Sequence, residues 1–528
     1  MCRRKRQLVM PGYLRAIRNP LVLGALMFAL VGCVAKNPPD DASQADAASE
    51  KESWYGVFQG SAKTGFATTQ RRRIEENGES LVEIRKTLVI QGPKGNDVPQ
   101  AKFEMTFVES PSGDLRRFIR IAATGGKRTT TVCRVNGSVV EIEDPMAGNR
   151  SLAWSPDFRS PNAWERILAE NPPAVNETRR FRALDDSFLA VLAQELTGKG
   201  EETIGAGKDR QVVRKYEHRI MLADGQPLVK EVWIDATGDC VREALPVADL
   251  EMRKMSRDAA LSPGTDPIDL VYDTMVRLDK PFAGARKSAW TKYRVQFANK
   301  QATASFATGS NQAVQQIDAQ TVDVVVRAIK PVGELSSEAH GVKFGSDNSP
   351  DAGAKAPNHF ISSADPGVVR IAESAAIHES DPFRVAVALE RRVHEHITQF
   401  DYSQAFLTAA ETAAGARGDC SEVAVLLAAV LRARGIPSQV AVGLVYVDDP
   451  AALGYHMWTE AWINNRWVPF DAVFPQGGCA ADRIKVASTN LSQGFADAAL
   501  IKLSQLLGAR PRIAVVESRA DELPGKAN

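Results

Sequence analysis

Two short runs, residues 456–463 and 466–473, flank the dipeptide Asn464-Asn465. Asparagine tolerates positive φ, so the dipeptide predicts a tight two-residue hairpin turn. That turn leaves the chain little freedom. If Ile463 faces Arg466, then Asp471 faces Trp458, and His456 lies two residues further along the opposite strand. His456 and Asp471 then share one sheet face as diagonal neighbours, about 7–8 Å apart at Cα and within side-chain reach. A slip of one residue would put them on opposite faces.

Upstream of the hairpin, Gly418-Asp419-Cys420 leads into a run whose apolar positions are Val423, Leu426, Leu427, Val430 and Leu431. This is helical spacing. Arg432 and Arg434 sit near the end, Gly435 stops the helix and Pro437 follows. Cys420 therefore sits at or beside the first turn, where unpaired N–H groups and the helix dipole favour a thiolate. The same N–H groups can stabilise an oxyanion. A small, buried, inert residue at a helix start is the alternative for Cys420. Residues 439–447 are rich in β-formers and read as a strand between helix and hairpin.

An ordered Cys, His and Asp has a clear chemical use. The imidazole takes the thiol proton, the carboxylate orients and steadies the imidazolium, and the thiolate attacks an acyl carbon. Gly418-Asp419-Cys420-Ser421-Glu422, the helix ending in LRARGIP (431–437), His456-Met457-Trp458-Thr459-Glu460 and Trp467-Val468-Pro469-Phe470-Asp471 resemble the transglutaminase-like core of bacterial proteins, in that family's order. The resemblance covers about residues 365–518. It implies a papain-like α+β fold with Cys420 as nucleophile, His456 as general base and acid, and Asp471 as orienting residue. It places Glu422 and Glu460 as structural acids. It does not identify a second oxyanion donor, for which Tyr402, Ser403 and Gln404 are only guesses. No calcium loops of the animal crosslinking enzymes are seen, so no metal and no cofactor is implied.

The rest of the chain reads differently. In its 528 residues, 65 Lys+Arg stand against 64 Asp+Glu, which gives no basic excess pointing to nucleic acid. The expected organisation is multidomain. After a tether (33–52) comes a β-rich accessory region of antiparallel sheet (53–330), a Gly/Ser/Pro-rich linker (331–364), the transglutaminase-like domain (365–518) and a frayed tail (519–528). Strands are expected at 80–91, 116–122, 129–135, 212–221 and 229–234, with turns at Asn77-Gly78, Asn136-Gly137, Asp224-Gly225 and Thr237-Gly238. One inserted helix is expected at 185–196. Asp381-Pro382 starts another, with Val385, Leu389, Val393 and Ile397 along one face.

Residues 1–32 look like a lipoprotein signal peptide. Six Lys/Arg precede an eleven-residue apolar run at 21–31, too short for the roughly 20 residues that span a bilayer. Leu30-Val31-Gly32-Cys33 resembles the bacterial lipobox, which implies cleavage before Cys33 and lipid attachment to its sulfur. A plain signal peptide with an incidental Cys is the alternative. Val34 after the Cys leans the resemblance toward the periplasmic face of the outer membrane. Removing the segment leaves 59 basic residues against 64 acidic, a mildly acidic chain.

Two functional readings follow. The first is a lipid-anchored cell-envelope cysteine enzyme, a peptidase, amidase or transamidase acting on amide bonds of peptide or protein substrates, with hydrolysis favoured because no amine-selecting site is visible. The second is a binding or assembly lipoprotein that uses the domain as a scaffold. His394 and His396 are two apart and do not share a helix face, so they read as solvated surface rather than metal ligands. Six Cys are too few for disulfides to be the main support. Whether Cys133 and Cys240 are bridged stays open, as does the state of Cys479.

Overall fold

The computed structural model describes residues 51–90, 101–124, 127–205, 210–222, 225, 227–263, 275–298, 306–329, 338–339, 341–400, 407–492 and 498–520. The expected signal peptide (1–32), Cys33, most of the expected tether, Tyr402, Ser403, Gln404 and the last eight residues lie outside that range. The chain divides into two units at 268/269. Among the described residues no helix is long and apolar enough to cross a membrane.

The first unit is one fifteen-stranded sheet. Eight strands meander from Lys51–Gln59 to Arg150–Ala153, and seven return from Phe158–Arg159 to Leu250–Met255. Lys51–Gln59 and Leu250–Met255 pair antiparallel, with Trp54 opposite Met255, so the two halves share one ladder. Strand twist makes so wide a sheet curl. Ile84, Phe107 and Phe118 from one half and Tyr216, Val232 and Leu250 from the other join a single core, with Trp164 and Leu168 from the helix Ala163–Glu170. The Asn77-Gly78 turn, with positive φ at both residues, joins Ala62–Glu76 to Glu79–Ile90.

The helix expected at 185–196 is absent. Thr178–Asp185 and Ala190–Ile204 form a β-hairpin there. Asp185 does what an N-cap residue does, but for a turn: its Oδ1 accepts from the Ser187 and Phe188 N–H groups. Leu189 then takes positive φ and sends the chain back. Cys133 is a buried free thiol, so it is not bridged to Cys240.

The second unit begins earlier than the expected domain boundary. Ser288–Gln296, Gln312–Gln316 and Thr321–Arg327, assigned by the sequence to the accessory region, form a four-stranded sheet with Arg512–Ala520. The start of the expected frayed tail, Arg519 and Ala520, is thus paired strand. The expected linker is also docked in its described part: Asp347 accepts from the Trp467 N–H at 2.9 Å, and Phe360 and Ile361 are buried.

A second sheet carries the hairpin. Ser438–Val447 runs between Arg483–Thr489 and Ala452–Ile463. The far edge of Ala452–Ile463 is shared by Val276–Arg277, at residues 452–453, and Arg466–Phe470, at residues 459–463. Among the described residues, 454–458 have no ladder partner on that edge. Gln312 links the two sheets through paired 2.7 Å bonds to the Lys485 N–H and C=O.

The helix Cys420–Ala433 is buried all round rather than along one stripe, every residue from Cys420 to Arg432 included. Ala424, Ala428 and Ala429 let neighbours approach it on faces where the sequence read only spacing. Thr459 Oγ1 donates to the Ala424 carbonyl at 2.8 Å, seating the helix on the hairpin strand. The helices Pro366–Glu373, Pro382–His396 and Ala409–Gly415 cover its other sides.

Gly443 lies opposite His456 in the ladder. A Cβ there would stand 2.1 Å from the Ile484 carbonyl oxygen and 2.9 Å from the Trp458 ring. Gly443→Ala is therefore expected to cost about 1–3 kcal/mol through overpacking. Urea unfolding measures it, and an unchanged midpoint would show that the ladder yields freely.

Candidate active site

The hairpin forms in the register the turn dictates. Ile463 faces Arg466 and Thr459 faces Phe470, with positive φ at Asn464 and Asn465. His456 Nε2 and Asp471 Oδ2 are 2.8 Å apart, both side chains buried. With Nε2 committed to the carboxylate, Nδ1 is the nitrogen left for a second partner. The imidazole lies near-parallel to the Trp458 ring at 6.3 Å and tilted against Phe474 at 5.6 Å.

Cys420 opens its helix as foreseen. Asp419 is the N-cap and accepts from the Ser421 N–H at 2.8 Å, while Glu422 reaches back to the Asp419 N–H at 2.7 Å. This capping box gives Glu422 its structural role. A Cβ on Gly418 would stand 2.4 Å from the Glu422 Cβ, so the approach to the box needs glycine. The backbone N–H of Met457, next to His456 and within the unladdered edge, is near enough to the Cys420 sulfur to favour its thiolate. This contact brings the helix start to the strand that carries His456.

The electrostatics depart from the sequence reading at one point. A thiolate was expected from the helix dipole. Burial instead pushes the Cys420 thiol well above its usual range, and Asp419 adds to the rise while the Met457 N–H opposes it. The resting sulfur is therefore a thiol. For Asp471, burial alone would raise the carboxyl. His456 and the Arg483 guanidinium outweigh it and hold the group well below the usual carboxylate range.

Arg483 was not singled out by sequence reasoning. Its Nη1 donates to Asp471 Oδ2 at 2.7 Å and its Nε to Asp482 Oδ1 at 3.0 Å, all three groups buried. Arg286 also pairs with Asp482 and lies 3.9 Å from the Phe474 ring centroid. Glu390 was missed as well. Its Oε1 accepts from the Asp471 N–H at 2.9 Å and its Oε2 from the Gly477 N–H at 2.7 Å. A carboxylate on the buried face of Pro382–His396, between Leu389 and Val393, was the available signal.

Glu460 is structural. It accepts from Lys485 at 2.6 Å, Ser488 at 2.8 Å and Gln439 at 2.9 Å. His394 and His396 are half-buried rather than solvated, each bonded to a backbone carbonyl, Ala472 at 2.9 Å and Ala413 at 2.8 Å. No group of His, Cys, Asp and Glu among the described residues has the arrangement of a metal site. Cys479 is a buried free thiol packed with Ala441 and Trp458.

No curated protein matches the chain. Among solved structures it is similar to a candidate cysteine protease from Cytophaga hutchinsonii, at 13% identity over 39% of this chain and 80% of that one, with a TM-score of 0.27. It is similar to a β-barrel-like protein of a domain of unknown function from Brucella abortus, at 11% identity over 39% and 94%, with a TM-score of 0.27. A candidate protease from Parabacteroides distasonis matches at 13% identity over 60% and 71%, with a TM-score of 0.19. The family model of the transglutaminase-like superfamily matches residues 370–472. The stretch that matches the transglutaminase-like superfamily holds Cys420, His456 and Asp471.

Proposed function

We propose that the second unit is a cysteine enzyme of papain-like α+β arrangement, acting on amide bonds of peptide or protein substrates through Cys420, His456 and Asp471. The observation that carries this reading is the 2.8 Å contact between His456 Nε2 and Asp471 Oδ2, which leaves Nδ1 for the thiol. As the sulfur attacks the amide carbon, its proton passes to His456, and Asp471 steadies the imidazolium. The backbone N–H of Cys420, at the first turn of its helix, is placed to meet the oxyanion. The amine then leaves with the imidazolium proton, and the acyl group stays on sulfur as a thioester. Water, deprotonated by His456, releases the acid and regenerates the thiol; an amine in its place would complete a transamidation. Hydrolysis is the favoured outcome. The same reading has the chain anchored through lipid on Cys33, at the periplasmic face of the outer membrane, with envelope peptides or proteins as substrates and no nucleic-acid partner.

One observation favours the scaffold reading instead: Cys420 is buried, with three carboxyl-bearing residues, Asp419, Glu422 and Asp471, raising its thiol. Iodoacetamide on the folded full chain decides between them. Selective alkylation of Cys420 over Cys133 and Cys479, faster than in the unfolded chain, is the result expected of the enzyme. Alkylation of Cys420 no faster than in the unfolded chain would leave the scaffold.

A further inference from the structure

The acid arm of the site is held from behind by a helix that contributes nothing to its front. Two residues one turn apart on Pro382–His396 grip the backbone that follows the hairpin. Glu390 takes the Asp471 and Gly477 N–H groups, at 2.9 and 2.7 Å, and His394 Nδ1 lies 2.9 Å from the Ala472 carbonyl oxygen. Between these points the segment closes on itself. The Phe474 N–H donates to the Asp471 carbonyl and the Val473 N–H to Asp471 Oδ1, both at 3.0 Å. The result is a short loop with Phe474 against the His456 ring.

We propose that Glu390 is a positioning residue for the Cys420–His456–Asp471 set: its two carboxylate oxygens fix the Asp471 and Gly477 backbone and so set both the acid beside His456 and the aromatic ring against it. The inference rests on the reading of that set as catalytic.

The chemistry of the side chain supports this role. An acid on the apolar face of a helix is costly to bury without partners. Leucine would fill the space without that cost but accept nothing. An amide offers one acceptor oxygen where two N–H groups converge. Only a carboxylate presents two. Burial pushes the Glu390 carboxyl up to about 7, against the pull of the N–H donors from Asp471, Gly477 and Gly478, and the negative charge of Asp471 adds to the rise. Cys479, Asp482 and Arg483 are the further ionisable groups on this side, all electrostatically tied to the same cluster. The grip on the loop therefore strengthens as Glu390 ionises near neutral pH, because an anion accepts more strongly than a neutral acid.

The test uses the full chain, with Glu390→Ala and Glu390→Gln, and two readouts. The first is the pH profile of Cys420 alkylation by iodoacetamide. The second is hydrogen exchange in the peptide spanning 471–478. Glu390→Ala is expected to slow alkylation about tenfold or more, as small misplacements of reacting groups do, and to speed exchange in that peptide. Glu390→Gln is expected to restore part of the rate while losing the inflection near pH 7 that ionisation of Glu390 contributes. A role in packing alone would move neither the inflection nor its partial rescue. Folded variants that follow the wild-type profile and exchange overturn the proposal alone. If Glu390→Ala does not fold, Glu390→Gln decides by the same two readouts. A wild-type chain whose Cys420 is not selectively alkylated overturns the enzymatic reading, and this inference with it.

Discussion

His456→Ala is expected to slow alkylation of Cys420 by about 10²–10⁴-fold at neutral pH, the usual weight of a general base. The size of the effect follows from the state of the sulfur. Burial and Asp419 hold the proton on it, and the Met457 N–H and helix start do not overcome them. Without a base beside it, little thiolate is present to react. Asp471→Asn should act in the same direction but less strongly. It keeps the shape of the acid and removes the charge that steadies the imidazolium. Cys133, buried in the core of the fifteen-stranded sheet, serves as an internal control. A rate at Cys420 unchanged by His456→Ala would end the triad reading, whatever the Asp471 variant does.

Arg483→Met is expected to cost about 3–5 kcal/mol of stability, the range for breaking a buried ion pair by removing one partner. Arg483 joins two buried carboxylates, Asp471 and Asp482. Removing it leaves the Asp471 carboxylate with His456 and the Val473 N–H. The pH dependence gives the cause. In the wild type the folded-state value of Asp471 lies below its unfolded value of about 3.9. Its contribution is then fully present above that value and lost only as pH falls through the depressed folded one. With the guanidinium gone, burial raises the carboxyl, and the variant should regain part of its loss on mild acidification. Urea unfolding at several pH values reads both effects. Equal unfolding midpoints for variant and wild type at neutral pH would show that Arg483 carries no weight there.

The parts of this site that could be read from the sequence are those set by local rules. Asn464-Asn465 imposes a turn, the turn imposes a register, and the register brings His456 to Asp471 without any knowledge of the rest of the fold. The capping box at Asp419 and Glu422 is equally local. Arg483 and Glu390 come from a separate strand and a separate helix, and nothing in their spacing from Asp471 announces the meeting. The thiol of Cys420 was misjudged for a similar reason: the dipole is a property of its own helix, whereas the burial that outweighs it comes from neighbours. The same limit explains the hairpin mistaken for a helix at 185–196. An Asp followed by apolar residues begins a helix or closes a turn with the same side-chain bonds, and pairing across Thr178–Asp185 decides which. The unit boundary was misplaced because the partner of Ser288–Gln296 lies at the far end of the chain.

That last pairing orders events in time. Ser288–Gln296 is made long before Arg512–Ala520, so one edge of its sheet stays open until the final strand arrives. At the usual rate of about 5–20 residues per second, the wait is roughly 10–40 s during synthesis. Throughout it a nascent chain, already paired with Thr321–Arg327 on one side, displays on the other a strand edge with no mate, the kind of surface that holdase chaperones shield and stray chains join. Removing Arg512–Ala520 would make that interval permanent.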